Sequence, residues 1–284
     1  MIDYHVHTML CNHAKNSMEA YIQKAIVIGL KEICFLDHLT MHKSGETLSM
    51  SPGEVPFYFQ AARVLKQKYK NVIKVKVGLE IDFSPAHIDI FHDITETYSF
   101  DVIGSSLHFP GDLDIVRHSS DWRHGRLDAD YVYGLYLSQL EIMLDYNYFD
   151  VVCHIDLIKK FNRKPAISFE KKFDKILSKI KKKDLTVEVN TSGYNYAIGD
   201  AFPSLNILKK CHESGISITL GSDAHSPAGV GQHYDRALNM LLSAGYNHLS
   251  TFTNRKRGAI SLNNAKNLFG RPKESKKHHE STKK

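Results

Sequence analysis

The sequence predicts an α/β fold, a parallel β/α barrel, from three observations. Seven short apolar runs alternate with amphipathic helical patterns along the chain, as expected for successive βα units of a parallel sheet. No Pro/Gly/Ser-rich linker divides this alternation. The 284 residues are 42% hydrophobic and 24% charged, which is enough apolar material for one large core. We therefore expect residues 1–270 to form a single barrel domain.

The seven predicted strands are nearly continuous apolar runs rather than alternating ones. Continuous runs are typical of parallel strands that are covered by protein on both faces. The predicted strands span residues 2–7, 32–38, 73–82, 100–108, 149–155, 185–190 and 217–223.

Six amphipathic helices are predicted between or after these strands. In the segment 169–183, Phe173, Ile176 and Ile180 recur at helical spacing while lysines fill the other positions, so the lysines form a solvated face. The predicted helices span residues 18–29, 56–69, 131–144, 169–183, 204–214 and 235–245.

Two long polar connections, residues 39–55 and 109–130, interrupt the otherwise short loops. Loops of this length in a compact domain are uncommon and usually functional. We expect both to act as lids over a site.

The net charge of +6 is concentrated at the C-terminus. Residues 271–284 contain six Lys or Arg and two Glu, a local charge of +4, which leaves +2 for the other 270 residues. Nucleic-acid binding requires basic charge gathered on the folded domain. The charge distribution therefore disfavours a nucleic-acid partner, and residues 271–284 are expected to form a basic, disordered tail.

The sequence also predicts a cytoplasmic protein without a membrane partner. No apolar stretch reaches the roughly 18 residues that a spanning helix needs, and the N-terminus lacks the pattern of a secretory signal. The cysteines share no CxxC spacing and are expected to be reduced and buried; they are Cys11, Cys34, Cys153 and Cys211. The oligomeric state is left open.

Potential metal ligands or acid/base groups stand at the end of every predicted strand. In β/α barrels the carboxyl ends of the strands form the active-site face, so these side chains should converge. His5 and His7 lie two residues apart and should point to the same face of their strand. The candidate ligands are His5, His7, His13, His38, Glu80, His108, His154, Asp223 and His225.

Imidazoles and carboxylates without thiolates favour Zn, Fe or Mn as the bound metals. A single ion takes about three to five protein ligands. Nine candidates are therefore too many for one ion and imply two or three divalent ions that share bridging carboxylates.

The ordered motifs DYHVHT, LDH, GLEID, SSLH, CHID, EVNTSG and GSDAH resemble those of the polymerase and histidinol phosphatase (PHP) superfamily over residues 1–245. Within it, CNHA, EVNTSG and the chain length are most like the monofunctional L-histidinol-phosphate phosphatase branch. The resemblance implies a distorted (β/α)7 barrel with a trinuclear metal centre.

The resemblance also implies how the ligands divide among the three ions. Glu80 would bridge two of the ions, and Asp37 would orient a neighbouring histidine from outside the ligand set. The first ion would be held by His5, His7, Glu80 and Asp223, the second by Glu80, His108 and His154, and the third by His13, His38 and His225.

A cluster of divalent ions suits phosphoester hydrolysis, because it lowers the pKa of a bridging water and neutralises phosphoryl oxygens. The expected reaction is attack of a metal-bridging hydroxide on L-histidinol phosphate, a step of histidine biosynthesis. Asp223 and His225 are the candidates for proton transfer. Arg117 and Arg163 are the candidates for gripping the phosphate, since guanidinium matches two of its oxygens.

Two alternatives remain open from the sequence. The metals could serve another phosphoester, in a phosphodiesterase, a nuclease or a protein phosphotyrosine phosphatase. The chain could instead be a metal-binding module without turnover.

Overall fold

The computed structural model describes residues 1–262, and a seven-stranded parallel sheet forms its centre. The strands lie in sequence order from first to seventh, and each pairs with the next in parallel. This confirms the distorted seven-stranded β/α barrel. The end of the expected domain, residues 263–270, and the expected tail, residues 271–284, lie outside the described residues.

The seven barrel strands begin close to their predicted positions, but three of them end two or three residues earlier than predicted. Strand β5 contains only two residues because His154, two positions later, has a φ of 24° and leaves the extended conformation. Asp223, with a φ of 56°, likewise follows the early end of β7. The strands are β1 (Ile2–Val6), β2 (Glu32–Leu39), β3 (Lys74–Asp82), β4 (Val102–Ser106), β5 (Val151–Val152), β6 (Thr186–Asn190) and β7 (Ser217–Gly221).

All six predicted helices are present, and the structure adds two more. The predicted six are α1 (Met18–Val27), α2 (Val55–Lys68), α5 (Ala129–Met143), α6 (Glu170–Lys182), α7 (Leu205–Glu213) and α8 (Tyr234–Ser243). The additional helices are α3 (Ile88–Thr97) and α4 (Asp121–His124). Helix α3 contains β-branched residues and aspartates, which favour helices weakly, and burial of Phe91 and Ile94 compensates.

The barrel closes between β1 and β7 with few backbone hydrogen bonds. The amide of Asp223 donates to His5 O at 2.7 Å, and the amide of His7 donates to Ala224 O at 3.0 Å. The buried carboxylate of Asp3 accepts the amides of Ser222 at 2.9 Å and Gly231 at 3.1 Å. A side chain on β1 thus completes the seam, and the seam carries ligand candidates from both strands.

An antiparallel hairpin, β8 (His248–Thr253) and β9 (Lys256–Ser261), was not predicted and packs at the amino ends of the strands. Its turn residue Arg255 donates its amide to Asp101 O at 2.9 Å and its guanidinium to Tyr148 O at 2.9 Å. The guanidinium also pairs with the carboxylate of Asp150. The hairpin therefore covers the end of the barrel opposite the candidate ligands.

The structure also bears on the predictions about the cysteines and about membrane-spanning helices. Cys11, Cys34, Cys153 and Cys211 are all buried free thiols, as predicted. Among residues 1–262, no helix combines the length and the apolar character that a membrane crossing requires.

Replacing Arg255 by alanine should lower the free energy of unfolding by about 2 kcal/mol, because it removes charge-assisted hydrogen bonds and leaves the Asp150 carboxylate without its cationic partner. Urea denaturation measures the change. Arg257→Ala is the matched control: Arg257 pairs with Asp184, whose side chain is 76% exposed, so its loss should cost less than about 1 kcal/mol. Equal losses in the two variants would contradict the role of the Arg255 contact.

Candidate metal centre

The structure brings all nine predicted ligands together at the carboxyl end of the barrel. The ring centre of His7 lies 4.1 Å from those of both His38 and His225. His13 joins this group at 4.4 Å from His225, and His154 lies 5.0 Å from His108. The convergence follows from the parallel sheet, which sends the end of every strand to the same mouth.

Glu80 lies at the middle of the cluster and is fully buried. Its Oε1 is 2.7 Å from Nε2 of His154 and 3.6 Å from Nε2 of His108. Its Oε2 is 2.6 Å from Nδ1 of His38 and 3.3 Å from Nε2 of His5. The two oxygens thus face different histidine pairs, which is the arrangement that a carboxylate bridging two ions requires.

Asp223 faces the other side of the histidine pair on β1. Its Oδ1 lies 2.8 Å from Nε2 of His7 and 3.9 Å from Nε2 of His5. Its Oδ2 accepts hydrogen bonds from Asn190 Nδ2 at 3.3 Å and Ser192 Oγ at 3.1 Å. One carboxylate oxygen therefore points into the cluster while the other is fixed by neighbouring polar groups.

Several histidines use Nδ1 for a hydrogen bond outside the cluster, which directs Nε2 inward. His13 donates through Nδ1 to Cys11 O at 2.7 Å, and His225 donates through Nδ1 to Asp223 O at 2.9 Å. His7 contacts Asp37 through Nδ1 at 3.2 Å. Metal-ligating histidines are characteristically held in this way, because the outer hydrogen bond selects the tautomer and orients the ring.

Buried atoms without hydrogen-bond partners show that cations fit this cluster. Buried side-chain nitrogens and oxygens are nearly always paired in folded proteins. Within residues 1–262, His5 Nε2 and His225 Nε2 are buried and have no hydrogen-bond partner. They belong to groups of ligand atoms within 4.8 Å of one another, including His5, His7 and Glu80.

Glu80 and His13 have the protonation states that metal binding requires, whereas the pKa values of His5, His7 and His154 are raised because facing carboxylates outweigh the effect of burial, so metal binding there would displace a proton. Burial opposes ionisation of Glu80, but the facing charges of His38, His5 and His108 outweigh it and hold the pKa of that carboxyl well below its usual range. Burial, reinforced by His38, lowers the pKa of the His13 imidazole to about 4. An ionised carboxylate and a neutral imidazole are the forms that coordinate metals.

A cavity of about 630 Å³ opens above the cluster. The two predicted lid segments form part of its wall and contact each other: Arg117 donates to Thr47 Oγ1 at 3.0 Å, and His42 Nδ1 lies 3.0 Å from Asp112 Oδ1. The cavity is large enough for a small-molecule substrate that contacts the cluster directly.

The structure separates the two arginines that were predicted to bind phosphate. Arg117 lines the cavity. Arg163 does not line it: its guanidinium donates to Arg123 O at 2.9 Å and packs against Gly125. The loop after β5 turns this side chain toward α4, a direction that the sequence position did not reveal.

The cation that the loop after β5 places in the cavity wall is Lys160. This side chain is 8% exposed; its ammonium donates to Val116 O at 2.9 Å and lies 4.2 Å from the ring centre of Tyr196. Burial lowers the pKa of the Lys160 ammonium to about 8. In the sequence, Lys160 is the second of two lysines that precede Phe161. This pattern did not distinguish Lys160 from a lysine on the surface.

A second residue without a predicted role is Glu188 on β6. It is buried, and its Oε1 lies 2.6 Å from His5 Nδ1. A charged residue inside the apolar run LTVEVN was the available signal. Its position at the end of a predicted strand suggested that Glu188 could be a functional polar group. It did not indicate which histidine Glu188 contacts.

Comparison with known proteins agrees with this geometry. The family model for the PHP domain matches residues 3–192. The chain belongs to the PHP domain family. A probable histidinol-phosphatase of Deinococcus radiodurans is 27% identical over 260 residues, which cover 90% of this chain and 98% of that protein. A histidinol-phosphatase of Lactococcus lactis subsp. lactis is 24% identical over 260 residues, covering 90% of this chain and 95% of the relative.

Among solved structures, the PHP fold of this chain resembles that of histidinol phosphate phosphatase from Lactococcus lactis subsp. lactis, described as a complex with Zn, L-histidinol and phosphate. The TM-score is 0.79 at 23% sequence identity, and the match covers 90% of this chain and 98% of that one. The similarity extends well beyond the segment matched by the family model, so the whole barrel is shared.

Removing metal ions with a chelator should lower the melting temperature, because ions that bind only the folded chain stabilise it. At a free ion concentration of 1,000 times Kd, each site contributes about 4 kcal/mol. Differential scanning calorimetry with elemental analysis of the same samples measures both quantities. Adding back Zn, Mn or Fe should restore the melting temperature. An unchanged melting curve after complete loss of metal would argue against ions that brace the barrel mouth.

Proposed function

We propose that this PHP-family chain is a metal-dependent phosphatase that hydrolyses L-histidinol phosphate to L-histidinol and inorganic phosphate. The observation that carries the proposal is the buried cluster of imidazoles and carboxylates at the floor of a cavity with cationic side chains in its wall. Two relatives named histidinol-phosphatase, whose matches each cover 90% of the chain, support the choice of substrate. The reaction belongs to histidine biosynthesis.

Three divalent ions, of Zn, Fe or Mn, would be held by the nine residues of the cluster. When bound, such ions supply a nucleophile at neutral pH and neutralise charge on the phosphoryl group. In the proposed division, Glu80 serves two ions. The first set is His5, His7, Glu80 and Asp223, the second is Glu80, His108 and His154, and the third is His13, His38 and His225.

Lys160 and Arg117 are proposed to hold the substrate phosphate at the cavity wall. Both side chains line the cavity, and Lys160 is buried and positively charged below its pKa of about 8. A buried ammonium with a single protein acceptor, Val116 O, keeps donors for phosphate oxygens. Arg163 is withdrawn as a phosphate ligand because its guanidinium is engaged outside the cavity.

Proton transfer is proposed for Asp223 rather than for His225. His225 donates through Nδ1 to a carbonyl, which only accepts, so the neutral ring has a lone pair and no proton on Nε2. This tautomer suits a ligand and not an acid. Asp223 lines the cavity and its side chain is 16% exposed. Burial opposes its ionisation, but the facing charges of His5 and His7 outweigh this and hold the pKa of that carboxyl well below its usual range. The ionised carboxylate is therefore proposed to accept a proton from the attacking water and to deliver it to the leaving ester oxygen.

The proposed partner is a small phosphate monoester, with no nucleic acid and no membrane. We also propose a cytoplasmic location and a single barrel domain over residues 1–270. The near-neutral charge outside residues 271–284 supports the absence of a nucleic-acid partner, since binding to a polyanion requires a concentration of basic side chains.

The purified protein should release inorganic phosphate from L-histidinol phosphate faster than from p-nitrophenyl phosphate, and far faster than from bis(p-nitrophenyl) phosphate. His5→Ala and Asp223→Asn should each lower kcat by orders of magnitude while circular dichroism shows a folded barrel, because each removes a group of the cluster. Preference for the diester would favour a phosphodiesterase. Abundant metal without hydrolysis of any of the three would favour a binding module.

Lys160→Ala should raise KM for histidinol phosphate at least tenfold, whereas Arg163→Ala should leave it nearly unchanged. The Lys160 ammonium is charged below its pKa of about 8, so kcat/KM of the parent enzyme should fall as pH rises through 8. Lys160→Arg should shift that decline to higher pH, since guanidinium stays protonated. A larger KM effect in the Arg163 variant would return the phosphate role to Arg163.

A further inference from the structure

Glu188 connects two candidate ligands that come from different strands. Its Oε1 is 2.6 Å from His5 Nδ1 on β1, and its Oε2 accepts the backbone amide of His154 at 2.9 Å after β5. The carboxylate also accepts from Asn190 Nδ2 at 3.2 Å. His5 and His154 in turn face opposite oxygens of Glu80. One buried carboxylate therefore fixes both the orientation of the His5 ring and the position of the His154 backbone.

Asp37 makes the corresponding pair of contacts on the other side of β1. Its Oδ1 lies 3.2 Å from His7 Nδ1 and accepts the backbone amide of His38 at 2.9 Å. Each histidine of the pair on β1 is thus held by a buried acid that also holds the backbone of a second candidate ligand. Because the same arrangement occurs twice, we interpret the contacts of Glu188 as structural support for the candidate ligands and not as an incidental ion pair.

The surroundings of Glu188 are built for this contact. A Cβ at Gly221 would lie 2.5 Å from Glu188 Oε1 and 2.4 Å from His5 Cβ, so only glycine leaves room for the pair. His154 has a φ of 24°, an unfavourable conformation for a non-glycine residue. The hydrogen bond that the His154 amide donates to Glu188 Oε2 helps to hold this conformation, because it ties the amide to a side chain of β6.

We propose that Glu188 is a positioning residue for two ion sites at once. It holds His5 of the first site and His154 of the second site at a fixed separation across Glu80. The inference rests on the ligand roles proposed above for His5 and His154, but not on the identity of the substrate.

Glu188→Gln tests the proposal with almost no change in side-chain volume. The amide has one accepting oxygen, so it can serve either His5 Nδ1 or the His154 amide but not both. Loss of an outer partner of a metal-ligating histidine weakens metal binding 10–100-fold. We expect this loss at the site whose histidine the amide leaves without its partner, that of His5 or that of His154, and nearly parental affinity at the site of His13, His38 and His225.

The measurement is equilibrium dialysis of the full chain against chelator-buffered Zn, with elemental analysis of the ions retained per chain. Glu32→Gln is the matched control, because Glu32 is also a buried barrel carboxylate with a hydrogen bond, from Tyr4 at 2.6 Å, but at the amino end of β2. That variant should retain all three ions. Melting of the ion-free proteins reports whether either variant simply destabilises the fold.

Parental Zn affinities at every site of Glu188→Gln, or an equal loss in Glu32→Gln, would overturn the proposal. If Glu188→Gln does not fold, Glu188→Asp replaces it, since it keeps the charge but is one methylene too short to span both partners. Weaker Zn binding at the site of His5 or at that of His154 is again expected, and parental affinity at every site overturns the proposal. A parent protein that binds three Zn ions but does not hydrolyse histidinol phosphate would refute only the proposed function.

Discussion

The structure depends on a buried carboxylate, Glu80, that is surrounded by imidazoles at the centre of the barrel mouth. An isolated ionised carboxylate is costly to bury, and the cost is offset only by charge and by well-placed donors. Here four histidine rings from four different segments supply the compensation. The requirement that these rings meet at one point constrains the register of the strands that carry them.

The barrel accommodates this requirement at a local cost in regularity. Strand β5 is reduced to two residues, and two residues with positive φ, His154 after β5 and Asp223 after β7, belong to the cluster. Backbone in such regions costs on the order of 1–3 kcal/mol per residue and persists where the surroundings enforce it. The opposite end is closed by the β8–β9 hairpin, whose turn also contains two residues with positive φ, Asn254 and Arg255.

Two layers of acidic groups serve different purposes in this site. Glu80 and Asp223 face the cluster directly, while Asp37 and Glu188 stand behind the histidines of β1 and fix their ring orientation. The outer layer explains how a protein can present several Nε2 atoms inward without hydrogen bonds among them. Above the cluster, the two lid segments and the Lys160 side chain form part of the cavity wall, so the residues proposed for phosphate and those proposed for metal are separate.

The sequence by itself determined the order of the strands, the barrel class and the nine residues that meet at its mouth. These follow from local pattern, because a residue at the carboxyl end of a parallel strand must reach the same face as its counterparts on the other strands. The sequence could not separate Lys160 from Arg163, nor assign Glu188 to His5. Those choices depend on turns with positive φ, on the direction of the loop after β5, and on space left by Gly221. Only the folded chain brings such distant residues within hydrogen-bond distance, so only tertiary structure decided them.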